Sequence, residues 1–338
     1  VQRTLSKAAV EKLKNTHAKK PDGPILVPKI ERHVLKSSHD RDGHRDTAHL
    51  HPTEMVKDMW CPQHSYFRMV DTPTEKIDAS PSFRMESAFT EGHSSHKKWQ
   101  TWLSEMGVLW GVWRCACSSR TFGAFTPFDR CGLCHEHWTY DEVPFYDKEY
   151  MIMGHADGLV ILPEEGSFII EIKTVGIGTL RFEAPILYEK LQTGVYTIDQ
   201  TWAAIRKPFA SHRMQAQFYL WLLKRQYPEF AGVSEVIFIY EWKASGAVKE
   251  FRIRAAESVI EERLEMAREV ANHVSHDLPY LDRPEWAAAD GLICQTCEYR
   301  TTCWNLEEPD ATAGAASSGV TVRRSTGRTR RTVVAGAK

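Results

Sequence analysis

The chain has 338 residues, enough for one large core or two smaller ones, and its 42% apolar and 26% charged content is ordinary for a water-exposed globular fold. No run approaches eighteen apolar residues, and segment 1–20 is basic and polar, so neither a membrane-spanning helix nor a secretory signal is expected. The formal net charge of −1 excludes nothing about nucleic acid, because a neutral protein can gather its basic residues on one face.

Segment 1–52 reads as a polar, Lys- and His-rich leader with a short helix around Val10 to Leu13. A helix is expected from Thr53, as N-cap, to about Trp60, ended by Pro62. A second runs from Phe83 to Met106, where Trp99, Trp102, Leu103 and Met106 recur at helical spacing. Between 113 and 140 the texture turns to Gly, Ser, aromatics and paired Cys, the mark of a small metal-stapled insertion. A strand from Tyr150 to Leu162, a turn at Pro163 to Gly166 and a strand from Ser167 to Val175 read as an antiparallel hairpin. A helix from Ser211 to Tyr227, strands from Glu235 to Lys243 and Val248 to Arg254, and a helix from Ala256 to His276 complete the pattern. The stretch 307–338 has no acidic residue after Asp310 and is rich in Ala, Gly, Ser, Thr and Arg, which predicts a disordered basic tail.

The chemistry centres on GHADGLVILPEEGSFIIEIK, Gly154 to Lys173. Glu171 and Lys173 are two apart on a strand and share a face, with Ile172 on the other. Their neighbours Phe168, Ile169 and Ile170 make the strand a buried one, where a charge is costly unless a partner or metal satisfies it. Folding the hairpin at Glu164 to Gly166 returns Asp157 opposite Glu171. Two carboxylates meeting at a strand end suit a hard cation, Mg²⁺ or Mn²⁺, and Lys173 is placed to steady a water or a phosphate beside it.

This segment resembles the PD-(D/E)XK nuclease superfamily, whose signature is an Asp on one strand and Glu-x-Lys on the next. The resemblance implies an α/β, restriction-endonuclease-like core, a mixed sheet flanked by helices, spanning 53–306. It also implies metal-dependent hydrolysis of DNA phosphodiesters, with Asp157, Glu171 and the Ile172 carbonyl on the metal and Lys173 assisting. In the RecB-like branch a Gly-x-x-x-His on an upstream helix supplies a further ligand, matched by Gly92 and His96, with His93 as rival. A Gln-x-x-x-Tyr follows the hairpin in that branch and is matched by Gln215 and Tyr219, which share a helix face at i, i+4. The stretch from Lys173 to Gln215 is longer than the compact family core.

Eight cysteines, in a chain expected to be cytoplasmic, point to metal rather than disulfides. Cys115-x-Cys117 and Cys131-x2-Cys134 form two close pairs of the kind that hold structural Zn²⁺, with His135 and His137 as alternative donors. Cys294-x2-Cys297-x5-Cys303 needs a fourth ligand, and if the first four hold zinc, Cys61 is the one left over. Spacing alone does not separate iron–sulfur from zinc here. An early Cys-Pro (Cys61-Pro62) closing such a triad resembles AddB-type and CRISPR-associated exonucleases, including phage-encoded members, and implies a 4Fe-4S cluster clipping the two ends of the domain together.

Lys97, Lys98, Arg206, Lys207, Arg213, Lys224, Arg225 and the basic tail offer phosphate contacts. The expectation is therefore an exonuclease acting at single-stranded or duplex DNA ends in recombination, replication or repair, with protein partners in those processes and no membrane partner. The alternatives are a non-catalytic DNA-binding scaffold of the same fold and a structure-specific or RNA-directed endonuclease.

Overall fold

A computed structural model describes residues 24, 26–42, 46–74, 82–126, 128–279 and 281–305. The expected helix at Val10 to Leu13 and the basic tail lie outside these residues.

Within the expected leader, α1 (Val27–Asp42) forms a full helix that the polar composition hid. The next helix, α2 (Pro52–Met55), is capped two residues earlier than expected, by His51 rather than Thr53, and ends at Met55 rather than about Trp60. Pro62 does not simply end that segment. It occupies the first turn of α3 (Pro62–Met69), where its missing N–H costs nothing, and Cys61 is the N-cap. The helix α4 (Phe83–Glu105) matches its sequence pattern closely, capped by Ser82 accepting from the Met85 N–H.

Six strands then build the main path of a mixed sheet: β1 (Leu109–Arg114), β2 (Arg120–Ala124), β6 (Gly158–Leu162), β7 (Gly166–Val175), β8 (Glu235–Trp242) and β9 (Val248–Arg254). Their order is β2-β1-β6-β7-β8-β9, with β3 (Thr139–Tyr140) joined to the end of β1. The pair β7–β8 is parallel and the other neighbours are antiparallel. A separate two-stranded sheet holds β4 (Val143–Asp147) and β5 (Ile152–Ala156).

The expected single strand from Tyr150 to Leu162 is thus two strands in two sheets, and the chain crosses between them at Asp157. Period-2 alternation continues across such a break, so the pattern could not reveal it. Strands β6 and β7 make the antiparallel hairpin, from Gly158↔Ile170 to Leu162↔Gly166.

The two sides of β7 face two cores. Ile170 and Ile172 pack with Leu109, Val160 and Ile239 beneath Trp99 and Leu103 of α4. Ile169 and Val175 pack with Ala216, Phe218 and Leu220 of α8 (Ala210–Gln226) in the larger core. The sheet is therefore flanked by α4 on one face and α8 on the other, the expected α/β architecture. Three short helices, α5 (Ile177–Glu183), α6 (Pro185–Gln192) and α7 (Ile198–Ala204), fill the long stretch before α8. The chain closes with α9 (Glu261–Ser275), α10 (Leu292–Gln295) and α11 (Arg300–Asn305).

Candidate metal centre and cysteine clusters

Asp157 sits at a notch, one residue before β6 begins, while β7 runs on alongside. Its Oδ2 accepts from the Ile172 N–H at 2.6 Å. Its Oδ1 lies 3.1 Å from His96 Nδ1 on α4. Gln100, one turn further along α4, donates its amide to the Asp157 backbone carbonyl at 3.0 Å. The helix is held in this rotational phase from β8: the Glu241 carboxylate accepts from Ser95 Oγ (2.6 Å), Lys98 Nζ (2.5 Å) and Trp99 Nε1 (3.0 Å), residues that bracket His96. His93 is exposed.

The third donor is Glu142, which sequence reasoning missed. Ligand atoms of His96, Glu142 and Asp157 lie within 4.8 Å of one another. Glu142 follows the cysteine insertion by eight residues and has a left-handed backbone, φ 61°, rare for a residue with a side chain and recurrent at functional sites. The acidic pair Asp141-Glu142 leading into an alternating strand was the available signal.

On the α8 face of β7, Glu171 is 2% exposed. Its Oε2 pairs with Lys173 Nζ at 2.8 Å, whereas Oε1 is buried and accepts no hydrogen bond from the described residues. Lys173 also donates to Gln215 Oε1 at 3.0 Å, and Gln215 Nε2 donates to the Tyr219 hydroxyl at 2.8 Å. The Tyr219 ring is stacked on Phe145 from the small sheet.

Charge follows from this crowding. Burial, with Asp157 close by, pushes the Glu142 carboxyl up to about 7. Burial pushes Glu171 up to about 7 as well, against the pull of Lys173. Burial opposes the charge on Lys173, but Glu171 and Asp157 outweigh it and hold the ammonium above the usual lysine range. Burial likewise opposes protonation of His96, and its bond to Asp157 reverses the balance, raising it. Two carboxylates and an imidazole in one notch form a donor set suited to a divalent cation such as Mg²⁺ or Mn²⁺; the expected ligand Glu171, with its unpartnered Oε1, is not in that group.

The insertion brings Cys115, Cys117, Cys131 and Cys134 together, with all four sulfurs within 4.8 Å of each other. Cys115 and Cys134 Sγ are 3.0 Å apart, Cys117 and Cys131 Sγ 3.7 Å. Four sulfurs at ~2.3 Å from a zinc sit roughly 3.8 Å apart, which the Cys117–Cys131 pair matches, while Cys115 and Cys134 would open slightly around an ion. Left-handed residues Ser118 and His135 shape the turns after each pair. The Ser119 hydroxyl and backbone lower the Cys117 thiol to about 6, and the Leu133 and Cys134 backbones lower Cys131, whereas Cys115 is pushed up to about 12, where the Cys117 backbone is outweighed by its bond to Cys134. His135 and His137 are not in the group.

Cys61, Cys294, Cys297 and Cys303 line one cavity of about 1240 Å³ with Arg283 and Trp304. Burial, and the proximity of the other three thiols, push Cys61 up to about 11. The Tyr299 N–H points at Cys297 Sγ at 3.4 Å. Unlike the insertion cysteines, this quartet is not gathered within 4.8 Å.

No protein-family model matches the chain, and no curated protein matches it significantly. Among solved structures, that of SSO0001 is 15% identical with a TM-score of 0.36, covering 81% of this chain and 96% of that one. An alkaline exonuclease (LHK-Exo) from Laribacter hongkongensis is 14% identical with a TM-score of 0.34, covering 68% of this chain and 89% of that one. The same exonuclease in complex with dAMP is 12% identical with a TM-score of 0.33, over the same coverage. None of the described helices is long and apolar enough to cross a membrane.

Proposed function

We propose that this chain is a metal-dependent deoxyribonuclease of the PD-(D/E)XK type, acting on DNA ends. The observation that carries the proposal is the notch itself: His96, Glu142 and Asp157 within ligand reach of each other, beside the orphaned Oε1 of Glu171 and the buried ammonium of Lys173. An idle fold has no physical reason to bury two carboxylates whose ionisation is penalised. That argues against a scaffold that has lost turnover.

His96, Glu142, Asp157, Glu171 and the Ile172 carbonyl would hold Mg²⁺ or Mn²⁺. Such an ion supplies Lewis-acid polarisation of the phosphodiester and a water acidic enough to attack near neutral pH. Lys173 keeps its proton because two carboxylates face it, so it serves as a fixed positive charge toward the phosphoryl oxygens. Gln215 fixes the direction of the lysine, and Tyr219 fixes Gln215. Glu171 is held through Oε2 by Lys173, which leaves Oε1 without a hydrogen-bond partner among the described residues.

The cysteine quartets are read as structural: Zn²⁺ in Cys115, Cys117, Cys131 and Cys134, and a 4Fe-4S cluster on Cys61, Cys294, Cys297 and Cys303. The second would tie α3 to the C-terminal helices across the whole nuclease core, closing a long loop.

The test is an anaerobic assay on end-labelled single- and double-stranded DNA, with Mn²⁺ or Mg²⁺ added and then chelated. Wild type should cleave only with metal, and Asp157→Ala and Lys173→Ala should be inactive while keeping iron and zinc. Cleavage of RNA alone would replace DNA as substrate, and no cleavage by a fully loaded protein would refute the catalytic reading.

A further inference from the structure

A second cleft, of about 190 Å³, opens one helical turn along α4 from His96. Its walls are Lys97, Gln100 and Thr101 from the helix and Trp113, Trp138 and Tyr140 from the cysteine insertion. The cleft touches the candidate metal centre through Gln100, whose amide reaches both the Asp157 carbonyl and Glu142. Tyr140 is two residues from Glu142 in the chain. The distance from His96 to Gln100 along the helix axis is roughly 6 Å, about the reach of one nucleotide.

The polar handles of this cleft are spent elsewhere. Trp113 Nε1 donates to the Gly123 carbonyl at 3.0 Å and the Tyr140 hydroxyl to the Trp110 carbonyl at 3.2 Å. Thr101 Oγ1 donates back to the Lys97 carbonyl at 2.7 Å, and Ser104 Oγ to the Thr101 carbonyl at 2.7 Å. What remains open is chiefly Trp138, half-buried with its ring tilted against Phe125 at 5.9 Å, beside Trp113, which is 2% exposed and edge-on to Tyr140 at 5.1 Å between ring centres. Lys97 stands exposed at the rim and forms no ion pair among the described residues. The volume lies below the roughly 300–1,000 Å³ typical of whole small-molecule sites, and suits a single planar ring system.

We propose that this cleft takes one unpaired base of the DNA strand whose neighbouring phosphate lies at the His96–Asp157 notch. Trp138 supplies the stacking surface and Lys97 meets the phosphate backbone. The inference deepens the nuclease reading and rests on it. Stacking without edge contacts tolerates any base, so the site sets the strand's register at the metal centre and reads no sequence. It also gives the cysteine insertion a purpose: its metal would hold Trp138 rigid, four residues after Cys134.

The experiment uses full-length protein with zinc bound and no Mg²⁺ or Mn²⁺ added, to prevent turnover, and single-stranded oligonucleotides carrying 2-aminopurine at successive positions from each end. Wild type should quench the fluorophore strongly at one position only. Trp138→Ala should lose that quench and bind about ten-fold more weakly, while Trp138→Phe should retain most of both. Thr101→Leu, which narrows the cleft from the helix side without replacing any residue of the insertion, should act like Trp138→Ala with zinc content unchanged. Wild-type quenching by Thr101→Leu overturns the proposal. So does position-independent quenching in a wild type that cleaves DNA, which would leave the nuclease reading intact. A wild type that neither binds nor cleaves DNA removes both.

Discussion

Glu142→Gln separates a metal ligand from a bystander. In the metal-free fold Glu142 and Glu171 both titrate at about 7, not at the ordinary 4.5. A cation needs both ionised, so near pH 6 each carboxylate weakens binding by about ten-fold and near pH 8 by almost nothing. His96, raised above its ordinary value, must also lose a proton and steepens the same slope. Wild-type affinity for Mn²⁺ should therefore climb at least about a hundred-fold between those limits. Glu142→Gln removes one of the protons, so its pH dependence should be shallower by about ten-fold, on top of a lower plateau from the lost carboxylate. Free Mn²⁺ read by electron paramagnetic resonance across the pH series measures both quantities. The sign for folding is opposite: a carboxyl raised in the folded state contributes stability that is full below about 4.5 and lost as pH rises through about 7. In chelator, then, wild type should melt lower at pH 8 than at pH 5.5, and the variant should narrow that gap. An unchanged Mn²⁺ slope in a folded Glu142→Gln would show that Glu142 is no ligand and that the cluster is an accident of packing.

Gly111→Ala should damage the same site indirectly. Its new Cβ would lie 2.7 Å from the Glu142 carbonyl and 2.7 Å from the Tyr140 hydroxyl, so the loop must shift; a loss of ~1–3 kcal/mol by urea denaturation, with weaker Mn²⁺ binding, is expected. Cys131→Ser should lower zinc by about one equivalent while leaving iron unchanged, measured by elemental analysis. Cys61→Ser should do the reverse, removing iron and its visible absorbance and exposing the C-terminal helices to protease. Loss of both metals together in either variant would contradict two independent clusters.

Much of the architecture was legible because periodicity reports burial directly. The helix from Phe83 and the helix carrying Gln215 and Tyr219 formed close to their expected bounds, and the hairpin formed with its second strand and turn as expected but its first strand shortened to Gly158–Leu162. Local chemistry was legible for a similar reason: Glu171 and Lys173 are neighbours on a strand face whatever the rest of the chain does, and the insertion cysteines lie close in sequence. The helix Val27–Asp42 was missed although Val27, Ile30, Val34 and Leu35 recur at helical spacing, because the Lys- and His-rich composition around them drew the reading toward a polar leader.

Several decisive features depended on contacts between segments far apart in the chain. The break at Asp157 arises because its two flanking strands are claimed by different sheets, which alternation cannot encode. Glu142 entered the metal centre only when the chain returned from the cysteine insertion alongside β1. Glu241, 145 residues beyond His96, sets the phase of α4 through three hydrogen bonds. The sequence by itself determined which residues have the chemistry to bind a cation and which strand they share, because side-chain type and period-2 geometry are local. Only the tertiary structure decided which of the candidate ligands meet, and at what charge, because distance and desolvation are properties of the packed chain.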